Sequence, residues 1–134
     1  MSISYPRPHH GSASEYQVHG FPYVTGSTAT EVGTSTPIKV SFPFVTQFIH
    51  VTNIGANSLY VGFTANGVSG TETANRFVVP ASAGSEVSPC IPVKCKEVYF
   101  LGNGGATGFT IVAGMTNVKE FPILSGTNGF DGVG

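Results

Sequence analysis

Histidine and cysteine are the residues of this chain best suited to chemistry, because imidazole and thiolate groups bind metals and act in catalysis. His9 and His10 are adjacent near the start of the chain, and Cys90 and Cys95 stand five positions apart. A zinc site at the cysteines needs further ligands, and His50 is far away in sequence. We therefore expect His9 and His10 to be solvated and both thiols to be reduced, at least one of them in the core. No metal or other cofactor is expected.

The acidic residues are too scattered for catalysis by a pair of carboxylates, which must converge on one substrate. The chain has a single aspartate, Asp131, and six glutamates spread along its length. The glycine-rich stretch 102–108 lacks the Gly-Lys-Ser/Thr ending of a phosphate-binding loop and reads as a strand connector. A cupin-type metalloenzyme needs clustered ligands, and His19, His50 and Glu97 are too few. We predict no enzymatic activity and no small-molecule substrate.

Charge is scarce and balanced in this sequence. Only 10% of the 134 residues are charged, against roughly 25% in an ordinary soluble domain. Six basic and seven acidic residues leave a formal net charge of -1, which gives no general attraction to phosphate backbones or anionic lipid. The sequence has no apolar run typical of a signal peptide or membrane helix. We expect intracellular synthesis without a signal peptide, no nucleic-acid partner and no membrane insertion.

The distribution of proline and glycine divides the chain into three parts. Residues 1–14 are rich in Pro, Ser and His and are predicted to form a flexible N-terminal arm without a fold of its own. Residues 125–134 contain four glycines in ten positions and are predicted to form a flexible C-terminal tail. Residues 15–124 remain as one domain, which is long enough to bury a core.

Within residues 15–124 the apolar residues recur with a period of two, which is typical of half-buried strands. Ile38, Val40, Phe42 and Phe44 give the clearest example, and Pro43 within it indicates an edge strand or a bulge. No window has convincing helical spacing. Eight strands are predicted, at 17–24, 38–44, 49–52, 59–64, 76–80, 93–101, 109–115 and 118–124. Short strands separated by turns predict an all-β fold, an antiparallel sandwich or barrel.

The connections between these strands carry turn residues. Residues 53–57 predict a hairpin between the strands at 49–52 and 59–64. The pairs Asn66-Gly67 and Asn103-Gly104 combine residues that tolerate a positive φ, and they predict two further turns.

The order of strands and turns resembles that of small single jelly-roll capsid proteins. These are the vertex (penton) proteins of tailless, membrane-containing phages and of large icosahedral double-stranded DNA viruses. The resemblance spans roughly residues 36–124, and its segments are 38–44, 48–53, 59–64, 76–81, 93–101 and 107–115. It implies an eight-stranded antiparallel β-sandwich, a single jelly roll, assembled as a homopentamer around an icosahedral vertex. It also implies an N-terminal arm that contacts neighbouring capsid proteins, and no catalytic residue. The glycine-rich tail matches no feature of the family.

The composition and the resemblance together predict a virion structural protein, the capsid vertex subunit, whose partners are copies of itself and other capsid proteins. Scarce charge lowers the cost of desolvating an interface between copies. Tyr5, Arg7 and Phe130 are the predicted interface anchors, because each is a large side chain on otherwise small or proline-rich backbone. One alternative is a capsid cement or decoration protein of the same fold. Another is a receptor- or glycan-binding β-sandwich module.

Overall fold

Seven strands and one short helix make up the regular secondary structure of the computed structural model, which describes residues 20–70, 75–81, 90–124 and 133–134. The strands are β1 (Pro22–Gly26), β2 (Ile38–Ser41), β3 (Thr46–Asn53), β4 (Ser58–Gly62), β5 (Phe77–Val79), β6 (Glu97–Asn103) and β7 (Phe109–Met115). The helix, α1 (Ala65–Ser69), follows β4. The predicted arm, residues 1–14, and all of the predicted tail except Val133 and Gly134 lie outside the described residues.

The strands form two antiparallel sheets. The three-stranded sheet has the order β1-β7-β3, and the four-stranded sheet has the order β2-β6-β4-β5. A further backbone bridge joins Ile91 to Ile49 at the edge of β3 that does not face β7. The predicted all-β sandwich is therefore confirmed, and the chain passes repeatedly from one sheet to the other.

Side chains that point inward from both sheets form the core. Phe100 on β6 and Phe109 on β7 stack with their ring centroids 3.8 Å apart and so join the two sheets. Tyr23 on β1 meets Phe42 edge to face at 5.2 Å. The fully buried aliphatic residues around these rings include Val32, Ile49, Val51, Leu59, Val61, Val79, Val98 and Ile111. Each such side chain stabilises the fold by about 1.5–3 kcal/mol relative to exposure.

Several predicted strands are shorter or shifted. The strand predicted at 38–44 ends at Ser41 and does not reach Phe44. It is an edge strand, which is one of the two arrangements that Pro43 indicated. The one predicted at 93–101 begins only at Glu97, because Cys95 bonds across to Thr46 through both its N–H and its carbonyl. Residues 118–124 form no strand. Val118 is buried with its carbonyl accepting from the Val45 N–H, and no regular structure follows it.

The turn predicted at Asn66-Gly67 lies instead within α1. The Thr64 hydroxyl caps the helix by accepting a hydrogen bond from the Gly67 N–H at 2.9 Å. Gly70 ends it with φ 69°, a left-handed conformation that favours glycine. Both capping residues are visible in the sequence, but a five-residue helix is too short to produce a periodic pattern.

The hairpin predicted at 53–57 is wrong, because β3 and β4 belong to different sheets and these residues cross between them. The buried amide of Asn53 holds the crossing. Its Oδ1 accepts from the Gly55 N–H at 2.9 Å and from the Thr107 hydroxyl at 2.8 Å. Its Nδ2 donates, at 2.8–3.3 Å, to the backbone carbonyls of Asn57, Val79 and Pro80. One side chain thus ties together both sheets and the end of β5.

Replacing Asn53 is predicted to be strongly destabilising. Asn53→Ala removes the partners of several buried polar groups, and we expect a loss of about 3 kcal/mol in the free energy of unfolding. Urea denaturation followed by circular dichroism measures this loss. The control is Asn103→Ala, at an exposed position at the end of β6, which should change the stability by less than about 0.5 kcal/mol. Equal stability of the two variants would contradict the role given to Asn53.

Candidate functional site

The outer face of the four-stranded sheet is partly covered by a helix and carries ionised groups. The helix α1 lies on it, with Val68 fully buried near Gly62. Lys39 and Glu97 form an ion pair at 3.0 Å, and the hydrogen bond and charge of Glu97 raise the pKa of Lys39. The guanidinium of Arg76 lies 3.5 Å from the centre of the Tyr60 ring. The charged groups of this face are thus engaged within the chain, whereas Val78, in register with Tyr60, stays exposed.

Among the described residues, the outer face of the three-stranded sheet carries no Asp, Glu, Lys or Arg side chain. Strand register and alternation place nine residues on it, and we call this set the neutral face: Pro22, Val24, Gly26, Phe48, His50, Thr52, Thr110, Val112 and Gly114. Val24 is 69% exposed and Val112, which stands beside it in register, is 38% exposed. Apolar side chains on a sheet face without charges are suited to contact with another protein surface.

The neutral face has low relief at one end. Gly114 on β7 stands between Pro22 and Phe48 in register. The ring of Phe48 lies over Gly114, where any larger side chain would overlap it. The aromatic ring therefore lies along the sheet rather than projecting from it, which leaves a surface against which another flat surface can pack.

A groove lies at the edge of the four-stranded sheet, where the segment after β7 returns past the start of β6. The Lys96 ammonium donates to the carbonyl of Lys119 at 2.8 Å and so holds this segment in place. We call the cavity, about 440 Å³, the edge groove. Its lining residues are Ser41, Phe42, Phe63, Lys96, Glu97, Phe121, Pro122, Ile123 and Leu124.

Neither surface is predicted by local patterns in the sequence. The neutral face requires the register of β1, β7 and β3, although its signal, strand positions without charge, is present in the sequence. The edge groove joins four segments that are far apart along the chain. The predicted anchors Tyr5, Arg7 and Phe130 lie outside the described residues, so the structure does not place them.

The candidate metal ligands do not come together in the described part of the chain. His50 lies on the neutral face, whereas Glu97 lies on the outer face of the opposite sheet. His9, His10 and His19 are outside the described residues. Among the residues that the structure describes, no group of three or more His, Cys, Asp or Glu side chains could hold a metal ion.

Both thiols are free, as predicted, and one of them is in the core. Cys90 is exposed and Cys95 is buried. Burial raises the pKa of the Cys95 thiol to about 11, although a hydrogen bond with the Thr46 hydroxyl at 3.3 Å acts in the opposite direction. The Thr46 hydroxyl also donates to the Val93 carbonyl at 2.8 Å. Cys95 is therefore a packing residue with a protonated thiol.

Comparison of the chain with protein-family models, with curated proteins and with solved structures found no match. Across residues 20–70, 75–81, 90–124 and 133–134, no helix is long and apolar enough to cross a membrane.

The two thiols are predicted to differ sharply in reactivity. At pH 8 a disulfide reagent should modify Cys90 rapidly and Cys95 only when the chain unfolds, because burial and a pKa of about 11 keep the Cys95 thiol shielded and protonated. Thiol titration with and without denaturant checks this, with Cys90→Ser as the control that should show no fast phase. Rapid modification of two thiols per native chain would contradict the placement of Cys95.

Proposed function

We propose that this chain is a virion structural protein, the vertex (penton) subunit of an icosahedral capsid, which acts by assembling with copies of itself and with neighbouring capsid proteins. The observation that carries the proposal is the neutral face, a sheet surface that has exposed valines and, among the described residues, no Asp, Glu, Lys or Arg side chain.

The neutral face supports assembly because none of its nine residues is an Asp, Glu, Lys or Arg. Removing an ionised side chain from water costs several kcal/mol unless a partner compensates for it. Nine residues are about a third of a standard interface side, which has roughly 20–30 residues, so this surface fits one contact among several in a closed assembly better than an isolated dimer.

We further propose that the sandwich is a single jelly roll. A jelly roll is a long hairpin folded over, so its first strand pairs with its last and its second with its second to last. The pairings β1 with β7, β2 with β6 and β4 with β5 follow this scheme. The remaining partner, beside β3, would be an eighth strand through Ile91, whose N–H and carbonyl both bond to Ile49, at 2.8 and 2.9 Å. This nesting supports the jelly-roll order predicted from the sequence.

Placing charge on the neutral face tests the assembly. Val112→Lys puts an ammonium at the centre of this surface, and we expect it to lower the association constant at least tenfold, since a buried unpaired charge is costly. Sedimentation velocity of the full chain gives the distribution of oligomers. The matched control is Val78→Lys, at a 51% exposed position on β5, which should assemble like the unmodified chain. The same loss in both variants would argue against the neutral face as a contact.

Removing residues 1–14 tests the predicted arm. We expect the shortened chain to keep the circular dichroism spectrum and unfolding midpoint of the full chain, because the core involves residues 32–118. Incorporation into particles should fall, since the arm is proposed to contact neighbouring subunits. Quantitative mass spectrometry of purified particles measures the occupancy. Particles with full occupancy of the shortened chain would exclude a role of the arm in assembly.

A further inference from the structure

The edge groove is a cavity lined by aromatic and polar side chains, and the proposed contact at the neutral face leaves it open. Phe42, Phe63 and Phe121 line it together with Pro122, and its volume of about 440 Å³ is within the usual range of binding pockets. Ile123, also part of the lining, is 77% exposed. Aromatic grooves of this kind bind extended, proline-containing peptides, which stack their rings against aromatic side chains.

The rim of the groove combines a cation with an anion. Lys96 contributes an ammonium group with three donor hydrogens, one of which is directed to the Lys119 carbonyl. Glu97 contributes a carboxylate that is paired with Lys39 and accepts from the Tyr99 hydroxyl at 3.2 Å. The Glu97 side chain is 41% exposed, so its carboxylate has room for a further donor. A segment with free carbonyls and one cationic side chain would satisfy both groups.

We propose that the edge groove binds the segment Tyr5-Pro6-Arg7-Pro8 of a second copy of this chain. Two prolines in four residues favour the extended polyproline II conformation, which lowers the entropic cost of binding. The Tyr5 ring and the prolines contact the aromatic floor, Arg7 pairs with the Glu97 carboxylate, and Lys96 donates to a backbone carbonyl of the segment. This inference rests on the proposed homomeric assembly. It assigns the predicted anchors Tyr5 and Arg7 to a binding site on a neighbouring copy.

The chain between Tyr5 and Gly20 is long enough for the segment to bind to another copy. The first described residue, Gly20, is fixed by a hydrogen bond from its N–H to the Met115 carbonyl at 2.5 Å. The 15 residue steps from Tyr5 to Gly20 can span up to about 50 Å when extended. A domain of this size is roughly 35 Å across. The segment can therefore extend beyond its own domain and reach a neighbouring subunit.

Photo-cross-linking of the full chain tests this assignment. Tyr5 is replaced by the photoreactive residue p-benzoylphenylalanine, and chains with natural and with ¹⁵N-enriched nitrogen are mixed, irradiated, digested and analysed by mass spectrometry. We expect cross-links between differently labelled chains, with Phe63 and residues 121–124 as the main targets. Cross-links to other positions, or groove cross-links only within one chain, overturn the proposal.

Substitutions at exposed positions separate binding from folding. Ile123→Lys adds a cation to the groove opposite Arg7, and we expect the yield of groove cross-links to fall at least fivefold without a change in the unfolding midpoint. Arg7→Gln should lower the yield by about threefold, as expected for one exposed ion pair. Val78→Lys, exposed on β5 and away from the groove lining, is the control and should leave the yield unchanged. Equal yields in all these chains contradict the proposed contacts.

The native mass of the same samples distinguishes the two proposals. Oligomers with cross-links elsewhere overturn only the assignment of the groove and leave the assembly in place. Monomers without cross-links between chains overturn both the groove assignment and the homomeric assembly.

Discussion

The structure depends on the packing of two sheets through side chains that alternate along each strand. The stack of Phe100 on Phe109 lies at the centre of this packing and joins a strand of one sheet to a strand of the other. Ion pairs contribute little, because the pair formed by Lys39 and Glu97 is half exposed. Stability therefore comes mainly from burial of apolar area, and the side chain of every second residue of each strand packs in the core.

The same alternation determines what the outside of the sandwich can do. On the four-stranded sheet, α1, the ion pair of Lys39 with Glu97 and the contact of Arg76 with Tyr60 occupy several outward positions, and Val78 stays exposed. On the three-stranded sheet the outward positions hold no Asp, Glu, Lys or Arg in the described part of the chain, and Val24 and Val112 are exposed. The charged side chains of the two sheets thus lie on one outer face and not on the other. This difference between the faces is the physical basis for proposing that the protein acts through contacts with other subunits.

The sequence predicted the class of fold and several strands because long alternating runs dominate their local environment. The strand at 109–115 is an example, since its inward positions are all apolar and the predicted bounds match β7. The hairpin at 53–57 was wrong because the bonds of Asn53 to Thr107 and Val79 are not local in sequence. The predicted strand at 118–124 contains Pro122, and its first residue bonds to Val45 instead of joining a sheet.

Neither candidate surface could be predicted from local patterns. The neutral face exists only when three strands are aligned in register, and the edge groove only when residues from four separate segments meet. The roles of Tyr5, Arg7 and Phe130 stay predictions, since they rest on residue type and position in the sequence alone.

The native mass of the unmodified full chain tests the central claim, assembly with copies of itself, most directly. Native mass spectrometry across a range of protein concentrations should reveal a closed oligomer, and the vertex role predicts five copies of the 13.9 kDa chain, about 70 kDa. A species of 13.9 kDa that persists at the highest concentration would contradict the account.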